Sequence, residues 1–144
     1  MGEMTSDGAS LSAGIDLRQF YQVFFEEAGE NLDTMEQLLL NLNIDTADDE
    51  ELNAIFRCAH SIKGGAATFG FGDVAELTHQ METLLDKLRR HELNPTTQMV
   101  DVLLAAGDAQ SVLVFILLGM VLMGDVTVYG SEHISLADRI KGNF

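Results

Sequence analysis

Four side chains have the types and spacing for imidazole chemistry: His60 with Lys63, and His79 with Glu82, each pair three residues apart. A neutral imidazole carries one N–H and one lone pair, so it can act as nucleophile, base or ligand. On a helix, Lys63 lies on the side of His60, where a mobile ammonium would serve as counterion to a transferred phosphoryl group of charge near −2. Gly64 follows His60 by four residues, so its missing side chain leaves room beside the ring for a bulky group or a partner. Gly64 and Gly65 each cost a helix about 1 kcal/mol relative to alanine, which implies a local gain from having them. Plainer readings stand beside these: a helical histidine on the surface, and two glycines that let helices pack closely. Likewise His79 and Glu82 are either a surface pair or the source of a carboxylate that accepts a hydrogen bond from His60. In the second case the bond fixes the tautomer and leaves the other nitrogen as nucleophile.

Positioning such groups requires rigid elements, and the apolar spacing predicts four helices. Asp16, with Gln19 three residues on and Ile15 paired with Phe20, predicts the start of the first helix. Leu17, Phe20, Phe24, Ala28, Leu32, Met35, Leu39 and Leu42 form its apolar stripe, and Glu26, Glu27, Glu30 and Asp33 face water. A second helix carries Leu52, Ile55, Ala59, Ile62, Ala66 and Phe69 until Gly70 and Gly72 interrupt it; His60 lies off this stripe and should be accessible. Asp73 with Glu76 predicts the cap of a third, with stripe Val74, Leu77, Met81, Leu84 and Leu88, running to about Arg90. Asn94 and Pro95 predict the start of a fourth, apolar from Met99 through Met123. Beyond it, 126–129 is short and β-branched, and Ser135 is placed to cap a short helix ending at Ile140. The fold class expected is all-α, an up-and-down four-helix bundle with room for a short fifth helix. The organisation expected is a flexible leader over 1–14, the bundle over 15–124, and a tail over 125–144 that begins a linker.

A chain of 144 residues, 47% hydrophobic, suits one domain with its own core. With 8 basic and 23 acidic residues its net charge is −15, which repels nucleic acid and anionic lipid. Cys58 is the only cysteine, so no internal disulfide forms; two residues from His60, it points to another side of the helix and reads as a small apolar filler. The amino terminus lacks a signal-peptide pattern, and the expected compartment is cytoplasmic. Between Val112 and Met123 only Gly119 is not hydrophobic, a run shorter than the roughly 20 residues of a membrane span. A buried helix without membrane insertion is expected there, covered by the tail around 134–140 or by another chain, with self-association one outcome.

The run Ala59-His60-Ser61-Ile62-Lys63-Gly64-Gly65-Ala66, with Phe69-Gly70-Phe71, resembles the amino-terminal histidine phosphotransfer (HPt) domain of the chemotaxis histidine kinase CheA. Leu77-Thr78-His79-Gln80-Met81-Glu82 is similar to that domain's following helix, and the likeness spans about residues 16–105. It implies that His60 is the phosphoacceptor, supported by Lys63, His79 and Glu82, with Glu82 holding the imidazole. Gly65 resembles the small residue such domains keep near the acceptor for close approach, so Gly64 and Gly65 together would give steric access. The implied partners are a CheA-type kinase catalytic domain, which uses ATP and Mg, and a CheY-type or CheB-type response regulator whose aspartate receives the phosphoryl group. No cofactor is expected on this domain and no enzyme activity from it alone; its parent would be a histidine protein kinase of a two-component system. From Ser111 to Met123 the sequence is less amphipathic than that family's fourth helix.

Two other functions compete. A metal-binding bundle would use His60, His79 and Glu82 as ligands, but the paired Glu-x-x-His motifs of di-metal bundles are missing and Lys63 would repel a cation, so no metal site is expected. A docking domain without chemistry at His60 would use the acidic faces and make Lys63 and the glycines coincidental.

Overall fold

The computed structural model describes residues 6–123, with side chains from 19 onward. Four helices run in order: α1 (Ser6–Asn41), α2 (Asp49–Thr68), α3 (Gly72–Arg89) and α4 (Thr97–Leu122). Each packs on its neighbours in the chain and α4 closes the ring against α1, which is the up-and-down bundle expected. The short β-branched segment at 126–129 and the short helix expected from Ser135 to Ile140 lie outside the described residues.

The first helix starts ten residues before Asp16, at Ser6. Asp16 is therefore interior rather than a cap, and residues 6–14, expected as a leader, are helical. No proline stands in that segment, and once a helix exists each added residue brings another backbone bond, which outweighs the mediocre propensity of Ser and Gly there.

Other termini follow side-chain chemistry. Asp48 caps α2, accepting from the Glu51 amide at 2.8 Å. At the far end Gly70 adopts φ +77°, Phe71 N–H donates to the Ala66 carbonyl at 2.8 Å and Gly70 N–H to Ala67 at 3.3 Å, a Schellman closure. That closure leads straight into α3, so the residue before the helix is Phe71 and Asp73 falls in its first turn instead of capping it. A carboxylate there still favours the positive end of the helix dipole. For α4 the cap is Thr96, whose hydroxyl accepts from Met99 N–H at 3.2 Å, two residues beyond the expected Asn94. Pro95 disfavours helical backbone at Asn94, and Thr96 is the hydroxyl within reach of that amide.

The core follows the α2 stripe as read, with Ile55, Ala59, Ile62 and Ala66 essentially inaccessible. In α3 the stripe is Val74, Thr78, Met81, Leu85 and Leu88, steps of four and three that keep one helix face inward; Leu77 and Leu84 flank it, half-buried. Thr78 is tolerated because its hydroxyl donates to the Val74 carbonyl and accepts from the buried Gln110 side chain of α4. On α1 the buried positions run from Phe24 to Leu39, whereas Phe20 is 56% exposed. Tyr21, Phe24 and Phe25 close around Phe71, with ring centroids 5.6, 5.2 and 5.6 Å away.

The fourth helix departs from expectation. By length and composition it is apolar enough to cross a membrane, yet only Leu103, Gln110, Val114 and Leu117 are buried. Val112, Phe115 and Ile116 face outward, Phe115 at 77% exposure. A helix that is apolar all round can bury only the stripe its neighbours cover.

Candidate functional site

His60, Lys63 and Gly64 sit on the outer side of α2, because Ile62 among them and Ala59 and Ala66 on either side are committed to the core. The His60 side chain is 61% exposed. Across the groove to α3, its Nδ1 lies 3.3 Å from Glu82 Oε2. Lys63 Nζ reaches the same carboxylate at 2.8 Å. Glu82 thus faces two nitrogen groups from the other helix, and the ammonium expected to be mobile is held.

Burial would raise the Glu82 pKa, but hydrogen bonds from Lys63 and His60, with their charges, outweigh it and keep the carboxyl below the usual glutamate range. Glu82 is therefore an anion at neutral pH. With the proton on Nδ1 the imidazole donates to it, leaving the Nε2 lone pair directed away from the pair.

The two glycines separate. A β-carbon on Gly64 would meet nothing within 4 Å, so the space beside His60 is open as expected. One on Gly65 would lie 2.9 Å from Phe24 Cδ2. Gly65 therefore gives access not to a partner but to α1, whose buried Phe24 ring rests where a side chain would stand.

His79 is not brought into the group. It is exposed at the surface of α3, and no side-chain bond among the described residues joins it to His60, Lys63 or Glu82. Residues one turn apart on a helix share a side but not a reach across to the next helix. The ligand set His60, His79 and Glu82 is likewise not assembled; no group of three His, Cys, Asp or Glu among the described residues could hold a metal ion. Cys58 is buried, and that burial pushes its thiol pKa up despite nearby Arg57, in keeping with a packing role.

Sequence reasoning missed three members of the site. Phe56, one turn before His60, stacks on the imidazole with centroids 5.8 Å apart and planes 15° from parallel. Arg89 of α3 sets its guanidinium carbon 3.7 Å from the Phe56 ring centroid. Asp86 binds Arg89 Nε at 2.7 Å. The i, i+4 spacing of Phe56 and His60 was the available signal.

Comparison with known proteins identifies the family. The profile of the Hpt domain family matches residues 19–111. Chemotaxis protein CheA from Klebsiella aerogenes and that from Salmonella typhimurium are each 53% identical over 94 residues, 65% of this chain and 14% of theirs. The chain thus spans about a seventh of the length of these curated relatives. Among solved structures, the CheA phosphotransferase domain from Thermotoga maritima superposes with TM-score 0.66 at 34% identity, covering 70% of this chain and 96% of that one. The phosphorylated P1 domain of CheA3 from R. sphaeroides, solved in complex with CheY6, shares the fold with TM-score 0.66 at 22% identity, over 74% of this chain and 80% of that one.

Proposed function

The chain belongs to the Hpt domain family as a phosphotransfer domain of the CheA type, and from this premise we propose that His60 carries the phosphoryl group. The observation that supports it is an imidazole held at Nδ1 by Glu82 while the ring stays exposed. In the first step the Nε2 lone pair attacks the γ-phosphorus of ATP held with Mg on a CheA-type catalytic domain; the Nε2–P bond forms, the P–O bond to ADP breaks, and ADP leaves. Glu82 stabilises the positive charge that develops on the ring, through the Nδ1 proton. In the second step a carboxylate oxygen of a receiver aspartate, on a CheY-type or CheB-type regulator, attacks phosphorus. The P–N bond breaks and its electron pair returns to Nε2. Lys63, now paired with Glu82, is close enough to shift toward the phosphoryl oxygens and offset their charge.

In this reading the domain, residues 15–124 with α1 reaching back to Ser6, is substrate and carrier in the cytoplasm, and the kinase activity belongs to a larger parent protein. The exposed face of Val112, Phe115 and Ile116 supports self-association through α4.

The test is incubation with ATP and a CheA-type catalytic domain, comparing the native chain with His60→Gln. Acid-labile label present only on the native chain supports the assignment. Equal label on both, or none on either, overturns it.

A further inference from the structure

Resting on that assignment, we propose that Phe56 and Arg89 are positioning residues that set the plane of the His60 ring for in-line attack. One hydrogen bond at 3.3 Å holds Nδ1 near Glu82 but leaves the ring able to tilt about the line from Cβ to Nδ1. With most of the side chain in solvent, little else restrains it. Phe56 supplies the missing restraint as a near-parallel surface along one face of the imidazole.

The Phe56 ring is itself clamped. Arg89 lies over the ring, and Asp86 holds the guanidinium from one turn further back on α3. Glu82 and Asp86 are four residues apart on α3, as are Phe56 and His60 on α2, so two adjacent carboxylates grip one imidazole by two routes. Glu82 takes its edge directly; Asp86 takes its face through Arg89 and Phe56. On the opposite side along α2, Gly64 leaves open space. The ring is therefore backed on one side and open beyond it, so its plane, in which the Nε2 lone pair lies, is set while the edge stays approachable for displacement.

The full chain is compared as native, Phe56→Leu, Phe56→Tyr and Arg89→Gln in three measurements. The first is steady-state phosphorylation by ATP with a CheA-type catalytic domain in trans. The second is direct phosphorylation by potassium phosphoramidate, in which Nε2–P forms, the P–N bond of the reagent breaks and ammonia leaves. The third is the 15N tautomer ratio of the His60 imidazole in the unphosphorylated chain. Leucine keeps apolar volume but has no planar face, so kcat should fall about tenfold at unchanged KM, and the phosphoramidate rate by a similar factor. Tyrosine should restore both, and Arg89→Gln should reduce both about threefold. Native rates and an unchanged tautomer ratio in Phe56→Leu, or no rescue by tyrosine, overturn the proposal. If Phe56→Leu does not fold, Arg89→Gln decides, and native rates there overturn it. An unlabelled native chain alongside a tautomer ratio that still depends on Phe56 would sink the acceptor assignment and spare the positioning role.

Discussion

Phe24 fills the space that a side chain on Gly65 would need, with its Cδ2 2.9 Å from where that β-carbon would stand. Alanine at Gly65 should force the buried ring aside, and the strain should exceed the gain in helix propensity, for a net loss of about 1 kcal/mol. Alanine at Gly64 meets nothing and should stabilise by about 0.5–1 kcal/mol. Urea unfolding of the two variants checks the opposite signs.

Gly64→Ala should nevertheless slow phosphotransfer, since the methyl group enters the open side of His60. Its labelling rate should fall although its midpoint rises, and a rate equal to native would remove the steric role of Gly64.

Glu82 contributes to stability in a pH-dependent way. Its folded pKa is lowered, so the stabilisation is present above about 4.5, the ordinary value, and is lost as pH falls through the folded value. The stability difference between the native chain and Glu82→Gln should be largest at neutral pH and shrink below 4.5. Denaturant titrations from pH 7 to 3 measure it; a constant difference would mean that the ion pair does not form.

The buried Thr78–Gln110 pair should respond asymmetrically. Gln110 Oε1 has no partner among the described residues, while Thr78 keeps its bond to the Val74 carbonyl whatever stands at 110. Gln110→Leu should therefore be neutral or stabilising by up to about 1 kcal/mol. Thr78→Val leaves the Gln110 amide only its long 3.5 Å bond to the Val74 carbonyl and should cost about 1–2 kcal/mol. Thermal unfolding of both variants, with the double variant as control, separates the terms.

His91 follows the C-cap of α3 with φ 61°, a region that disfavours side chains, and its bond to Asp49 at 2.6 Å joins two exposed groups. Gly at 91 should relieve about 1 kcal/mol of backbone cost and forfeit little, because exposed pairs contribute weakly. A lower melting temperature in His91→Gly would show that the Asp49 contact matters more than the backbone.

Periodicity disclosed the four helices and the α2 stripe, because burial on one face repeats along the chain. The acceptor face was legible for the same reason: His60, Lys63 and Gly64 are neighbours on a single helix. Contacts between helices were not. The choice of Glu82 over His79 as neighbour of His60, the Phe24 ring against Gly65 and the Arg89 guanidinium over Phe56 depend on how α1 and α3 are rotated, which local spacing does not specify. The start of α1 was missed because a capping pair at Asp16 and Gln19 describes one place a helix can begin and cannot forbid an earlier one. The outward apolar face of α4 was missed because composition reports how much surface wants cover, and the geometry of three partner helices decides how much receives it.

The Gly70 turn leaves only Gly70 and Phe71 between the C-cap of α2 and the first residue of α3. Such a joint has no slack, so it indexes one helix against the other like a keyed shaft. One residue inserted there would break the Phe71–Ala66 closure and shift α3 against α2, carrying Glu82 and Asp86 away from His60 and Phe56 together. The links 42–48 and 90–96, which join helices that share no part of the site, are free of that restriction. Length variation in this domain should accumulate in those two links and be rejected at the third.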